Sequence, residues 1–277
     1  MLNLREIHKP TTLAEALKLL QRPGTVALAG GTALNAASPD DVTAVVDLSA
    51  LDLAYIRESS GAIAIGATTK LVELVASPIL RAMANGVVSQ AAHRSTSSIL
   101  RNQASVAGTL ISEPDGVLAV ALLALDAHVT IVRKESRTHS LADFLAMCEH
   151  LLMMALVTEV TLPITNPHAS LHTVARTPSN KPIVSVVAST QILRSAQNDN
   201  VAHNVRIALG GVGETAVRTS AAEKILEAQS LNDVLIEKAA SVAAEGLSPV
   251  GDFRGSAEYR KEMTVVLARR AVKELVA

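Results

Sequence analysis

The sequence predicts an α+β chain in three parts: a small α/β unit over residues 1 to about 55, a larger α+β unit over 56–165, and a C-terminal domain over 168–277 with a three-stranded antiparallel sheet and a helix bundle. Three observations predict this. Apolar runs of strand and helix periodicity interleave up to residue 165. Pro163 and Pro167, with Thr165 and Asn166 between them, mark a linker, and beyond it three strand-like runs precede three helix-like ones. A length of 277 residues is ample for more than one buried core.

Taken in order, Thr12-Leu13-Ala14-Glu15 reads as a capping box opening a short helix that Pro23-Gly24 ends. Val26 to Ala29 and Thr43 to Asp47 read as strands. Ile63 to Gly66 is strand-like, and Thr69 is expected to cap a helix over Lys70 to Ala76. A second helix is expected from Ile79 to Ala92, then an irregular polar stretch from Ser95 to Asn102. Val117 to Leu125 reads as a buried helix, His128 to Arg133 as a strand, Ser140 as the cap of a helix through Cys148, and Ala155 to Leu162 as a strand. In the last domain the strand candidates are Leu171 to Arg176, Ile183 to Ile192 and Val205 to Gly210, with a polar hairpin loop over Arg194 to Asn200. Ser220, Ser230 and Ser256 are the expected helix caps.

Composition narrows the function. A net charge of -1 offers no basic surplus for nucleic acid or an anionic membrane, and the longest apolar runs fall well short of the roughly 20 residues that cross a bilayer, so no membrane insertion is expected. Arg5, Glu6, His8 and Lys9 precede any apolar run, which does not read as a secretory signal, and a cytoplasmic location is expected. One cysteine, Cys148, permits no internal disulfide and cannot ligate an iron-sulfur cluster alone. His168 and His172 are the single close histidine pair, and a metal site is not expected. With two Tyr, two Phe and no Trp, a flat cofactor would be covered by aliphatic groups or by another protein chain.

Two small-residue turns stand out, Leu28-Ala29-Gly30-Gly31-Thr32-Ala33-Leu34 and Ser105-Val106-Ala107-Gly108-Thr109, about 75 residues apart and each bordered by apolar residues. Without bulky side chains, backbone N–H groups approach a phosphate closely, and the hydroxyls of Thr32 and Thr109 add donors at the rim. The second turn is expected on a loop with exposed backbone. Either turn alone is also an ordinary tight turn.

The residues resemble a known family. ALAGGTAL at 27–34, RNQASVAGTL at 101–110 with LLALDAHV at 122–129, and the C-terminal stretches RIALGGV at 206–212 and DFRGSAEYR at 252–260 are similar to the FAD-binding medium subunits of molybdenum hydroxylases, the group of carbon monoxide and xanthine dehydrogenases. The resemblance spans nearly the whole chain. It implies a two-lobed FAD-binding domain of the vanillyl-alcohol oxidase/PCMH type over 1–165, with lobes at about 1–55 and 56–165, and over 168–277 the C-terminal domain typical of these medium subunits. It also implies a large partner with molybdopterin and a small partner with two [2Fe-2S] clusters, from which electrons pass through FAD to NAD or another acceptor.

By resemblance, both turns hold the FAD pyrophosphate. Val157, Thr158 and Lys181 lie near the ring, with Arg176 a rival for the basic role. Flavin carries the redox chemistry, so no catalytic side chain is nominated. The second turn departs from the family's Thr-Ile-Gly-Gly-Asn: Ala107 adds a methyl group which, at a positive φ, costs on the order of 1 kcal/mol. The acidic segment Ser112-Glu113-Pro114-Asp115-Gly116-Val117 is one residue short, leaving Asp115 either to touch FAD or to cap the next helix. These departures motivate a rival reading, a degenerate structural subunit with weak or lost FAD binding. Arg254 and Arg260 are expected to form salt bridges within the C-terminal region.

Overall fold

A computed structural model describes residues 3–165, 167–177, 180–195 and 198–276. The chain opens with β1 (Glu6–His8), α1 (Leu13–Leu19), β2 (Thr25–Leu28), α2 (Thr32–Ala37) and β3 (Ala44–Asp47). Thr12 caps α1, its side chain accepting from the Glu15 N–H at 3.2 Å, while the Glu15 carboxylate accepts from the Thr11 N–H at 3.4 Å. The helix α2 was not expected: Gly31, left-handed at φ 70, ends the turn after β2 and starts it.

Next come β4 (Ile56–Ser59), β5 (Ala62–Gly66), α3 (Leu71–Ala76), α4 (Pro78–Ala82) and α5 (Val87–Ser95). Thr69 does not cap α3. Its hydroxyl is held at 3.0 Å by both the N–H and the C=O of Tyr55, and the Lys70 N–H donates to Glu73 instead. The expected helix from Ile79 to Ala92 is broken, because Ala84, Asn85 and Gly86 are left-handed at φ 48, 56 and 72.

The middle of the chain holds α6 (Ser98–Arg101), α7 (Val106–Ser112), α8 (Val117–Ala124), β6 (His128–Val132), β7 (Ser136–Ser140), α9 (Leu141–Leu152) and β8 (Leu156–Pro163). Ser140 caps α9, accepting from the Asp143 N–H at 3.1 Å. The rest is β9 (His168–Val174), β10 (Val184–Ser195), β11 (Asn198–Gly210), β12 (Val217–Arg218), α10 (Ser220–Leu226), β13 (Gln229–Ser230), α11 (Asp233–Ala243) and α12 (Ala257–Glu274). Strands occupy most of the expected hairpin loop, and its residues Ala196 and Gln197, like the linker residue Asn166, lie outside the described residues. Thr219, Asn232 and Ser256 stand at the three helix starts, so Ser220 and Ser230 are not caps.

The chain forms two compact units that do not follow chain order: one contains the residues up to Leu74, Ser98–Ser112 and Ala127–Pro163, the other Val75–Ser97, Glu113–Asp126 and the chain from Ile164. The first unit holds a parallel sheet of order β1-β3-β2 and an antiparallel sheet of order β4-β5-β8-β6-β7. Ala16 of α1 packs with Val46, Leu48 and Leu156.

In the second unit the sheet runs β12-β11-β10-β9, antiparallel throughout, with β13 paired to β11. Two short strands thus join the three long ones. Val186, Ile207 and Leu209 of the sheet share a buried core with Ala239, Ala240, Leu267 and Ala271 of α11 and α12. Every residue of α8 is buried, as an all-apolar helix demands, and Ser189 of β10 donates to its Ala124 carbonyl at 2.6 Å. Among the described residues no single helix is long and apolar enough to cross a membrane.

Candidate functional site

The first unit contains a cleft of about 450 Å³. It is lined by β2 and the turn into α2, by the start of α7, and by the segment from Leu152 into β8. Of the residues singled out from sequence, Leu28, Ala29, Gly30, Gly31, Thr32, Ala33, Leu34, Ser105, Ala107, Gly108 and Val157 line it. The first small-residue segment meets the backbone just before the second through Gly30, where a Cβ would stand 2.0 Å from the Gln103 carbonyl oxygen. Glycine at 30 therefore lets two distant stretches of backbone touch.

The segments are not equivalent. Among the described residues, the N–H groups of Gly30, Gly31, Thr32, Ala33 and Leu34 have no acceptor in the protein, the ordinary condition of a helix start. At the second segment four of the five N–H donors are taken: the Val106 N–H by Thr69 C=O at 2.9 Å, the Ala107 N–H by Ala67 C=O at 3.1 Å, the Gly108 N–H by Ser105 Oγ at 3.2 Å and the Thr109 N–H by Ser105 C=O at 2.9 Å. This corrects the expectation of a loop with exposed backbone. Residues 106–109 open the helix α7, and Val106, fully buried, and Thr109 are not among the residues that line the cleft.

Ala107 is corrected too, since it is helical and not among the positive-φ residues. Its methyl group carries no strain. Ala107→Gly is accordingly expected to lower thermal stability, by about 0.5–1 kcal/mol, without improving flavin affinity. Chemical denaturation and a flavin fluorescence titration of the variant check both halves.

Among the described residues the cleft is lined by aliphatic, hydroxyl and methionine side chains, with no charged or aromatic group. An anion bound there is met by backbone dipoles and hydroxyls, and a flat ring by aliphatic walls. Ala67 and Thr68 also line it and were missed. Their signal was present in Gly66-Ala67-Thr68-Thr69, a third small-residue run directly after a strand.

Asp115 and Lys181 belong to the second unit, where Lys181 Nζ lies 3.5 Å from the Glu113 carboxylate and 4.0 Å from that of Asp115. Asp115 does not cap α8, whose N-cap is Gly116 without a side-chain bond. His172 pairs with Glu274 at 2.6 Å, and the described residues hold no group of three metal-ligating side chains. Arg254 and Arg260 both bind Asp252, at 2.7 and 2.8 Å.

Comparison with known proteins gives the family. Residues 3–165 match the model described as the FAD binding domain in molybdopterin dehydrogenase, and residues 169–275 match the CO dehydrogenase flavoprotein C-terminal domain. The chain belongs to the molybdopterin dehydrogenase FAD-binding family. The glyceraldehyde dehydrogenase medium chain of Sulfolobus acidocaldarius is 27% identical over 95% of both chains. The carbon monoxide dehydrogenase medium chain of Hydrogenophaga pseudoflava is 26% identical, over 96% of this chain and 95% of the relative. A solved carbon monoxide dehydrogenase from Hydrogenophaga pseudoflava, lacking the Mo-pyranopterin moiety, shares the fold with a TM-score of 0.88 at 23% identity, over 99% of this chain and 97% of that one. The chain is thus an FAD-binding oxidoreductase subunit of the molybdenum hydroxylase type, and the free donors at Gly30–Leu34 above an uncharged cleft suit that cofactor.

Proposed function

We propose that this chain is the electron-transferring medium subunit of a three-part molybdenum hydroxylase. It stands between [2Fe-2S] clusters on a small partner and NAD or another terminal acceptor, while a large partner oxidises the substrate at molybdopterin. The observation that carries this reading is the row of unpartnered N–H groups from Gly30 to Leu34, opening on a cleft inside a domain of the FAD-binding family. A single cysteine in the whole chain fits a division of labour in which the clusters sit elsewhere.

The FAD domain of this reading is of the vanillyl-alcohol oxidase/PCMH type over 1–165, the medium-subunit domain spans 168–277, and the complex is cytoplasmic. Bound FAD supplies the redox chemistry. The chain's own residues hold and orient it: the Gly30–Leu34 amides bind the pyrophosphate, Ser105 and Gly108 close the cleft opposite them, and Ala107 and Val157 present apolar surface. Asp115 and Lys181 are the polar side chains of this reading. No side chain is asked to move a proton. Of the two departures behind the structural-subunit alternative, Ala107 carries no strain, and the short acidic segment 112–117 is left as its motive.

Purified chain mixed with FAD, alone and co-expressed with its two partners, is expected to retain one equivalent of flavin through gel filtration, read by the visible flavin absorbance. A complex that assembles with both partners yet carries no flavin overturns the proposal.

A further inference from the structure

A second cleft of the first unit, also about 450 Å³, lies between the β6–β7 hairpin and the end of α9. The hairpin register pairs Ile131 with Arg137 and Val129 with His139, and the Arg133 N–H donates to the Glu135 carbonyl. Arg137 and His139 therefore share one face of the hairpin, since alternate residues of a strand point the same way, and Arg133 and Glu135 from the turn line the cleft with them. Lys134 at the hairpin tip and His150 from α9 also line it, beside the apolar Ile131 and Leu151. None of these residues lines the cleft of the FAD reading.

The charge balance is one-sided. Arg133, Lys134 and Arg137 face a single described carboxylate, Glu135, in a chain whose net charge is -1. Arg133 is already committed, its guanidinium donating to the Met153 carbonyl just past α9, where it offsets the negative end of the helix. Arg137 meets Glu135 at 3.6 Å, but their side chains are 73% and 77% exposed, so the pair is readily exchanged for a stronger acceptor. Lys134, His139 and His150 have no side-chain partner among the described residues. Four adjustable donors, two of them permanent cations, thus line one space of ligand size.

We propose that this cleft binds a phosphate-bearing small molecule, with Arg137 and Lys134 taking the phosphate charge and His139 and His150 donating to its remaining oxygens. A forked guanidinium beside a flexible ammonium and two imidazoles matches the several acceptor oxygens of a di- or triphosphate better than a single carboxylate. The inference does not rest on the FAD reading.

The test is a calorimetric titration of the full chain, preloaded with FAD, with inorganic pyrophosphate, followed in parallel by the histidine ring resonances. One equivalent is expected to bind and to shift the His139 and His150 signals together. The paired exposed changes Lys134→Ala and Arg137→Ala should weaken binding about tenfold or more while flavin retention stays at the parent level. No heat and no histidine shift, or equal affinity in parent and variant, overturns the proposal. So does tighter capture of an acidic peptide than of pyrophosphate by the same cleft, which would make it a protein-docking surface. Should the chain fail to hold FAD, comparing pyrophosphate binding in parent and variant still reports on this cleft alone.

Discussion

Gly30→Ala is expected to destabilise the first unit by about 2–4 kcal/mol and to lower FAD affinity by about tenfold or more. The added methyl carbon would stand 2.0 Å from the Gln103 oxygen, 2.8 Å from the Gln103 carbonyl carbon and 3.1 Å from Ala104 Cα, all of them backbone atoms. No rotamer change relieves such a contact. The 103–104 backbone is itself tied down, since the N–H groups of Gln103 and Ala104 both donate to the Leu100 carbonyl and the Leu71 N–H donates to Ala104 C=O at 2.9 Å. Relief therefore requires the turn after β2 to move away from the start of α7, which widens the cleft where the pyrophosphate would sit. Gly213→Ala is the control: its nearest neighbour would be 3.7 Å away, so a change within about 0.5 kcal/mol is expected. Urea denaturation and flavin fluorescence titration give the two readouts, and a parent-like midpoint for Gly30→Ala would sink the argument.

What could be read in advance was whatever a short stretch decides for itself. The caps at Thr12, Ser140 and Ser256 satisfy N–H groups three residues on, and the all-apolar run forming α8 has nowhere to go but inside. Features set by distant partners were not legible. Thr69 looks like a cap but spends its hydroxyl on Tyr55, fourteen residues upstream. The strands β4 and β7, Ile-Arg-Glu-Ser and Ser-Arg-Thr-His-Ser, lie at the two edges of their sheet and are largely exposed, so they carry no apolar alternation to betray them. The break after α4 had a signal in Asn85-Gly86, a turn dipeptide that helix periodicity masked.

The same distinction runs through the cleft. Residues 28–34 were legible because a Gly-Gly turn leaves its amides free through its own geometry. Residues 105–109 look like an equal partner in sequence because two of the carbonyls that occupy their amides come from Ala67 and Thr69, on the other side of four helices in the sequence. A departure at Ala107 is costly only if the local conformation is a turn. Once α7 is helical, alanine is the better residue there.

Arg260→Met is expected to have a comparable effect on the second unit, a loss of about 2–3 kcal/mol, chiefly from carbonyl groups left without a donor. The side chain is 5% exposed and joins three separate pieces of chain: Nη1 donates to Ile183 C=O at 2.9 Å and to Gly211 C=O at 2.7 Å, and Nη2 donates to Asp252 at 2.8 Å. Methionine fills similar space but leaves the buried Ile183 carbonyl and the half-buried Gly211 carbonyl without this donor, and the Asp252 carboxylate one donor short. Arg260→Lys keeps the charge yet cannot reach three acceptors at once, so an intermediate loss is expected. Hydrogen bonds from Arg254 first, and then from Arg260, hold the Asp252 carboxyl well below its usual value of 3.8, against the opposing influence of burial. Because its folded value is depressed, the carboxylate's contribution is complete above the ordinary carboxylate range and drains away as pH falls from there toward the folded value. Denaturation midpoints measured between about pH 6 and pH 3 should therefore decline on the acid side, and Asp252→Asn should flatten part of that decline. An Asp252→Asn profile that falls as steeply as the parent's would assign the acid sensitivity to other carboxylates and remove Asp252 from the account.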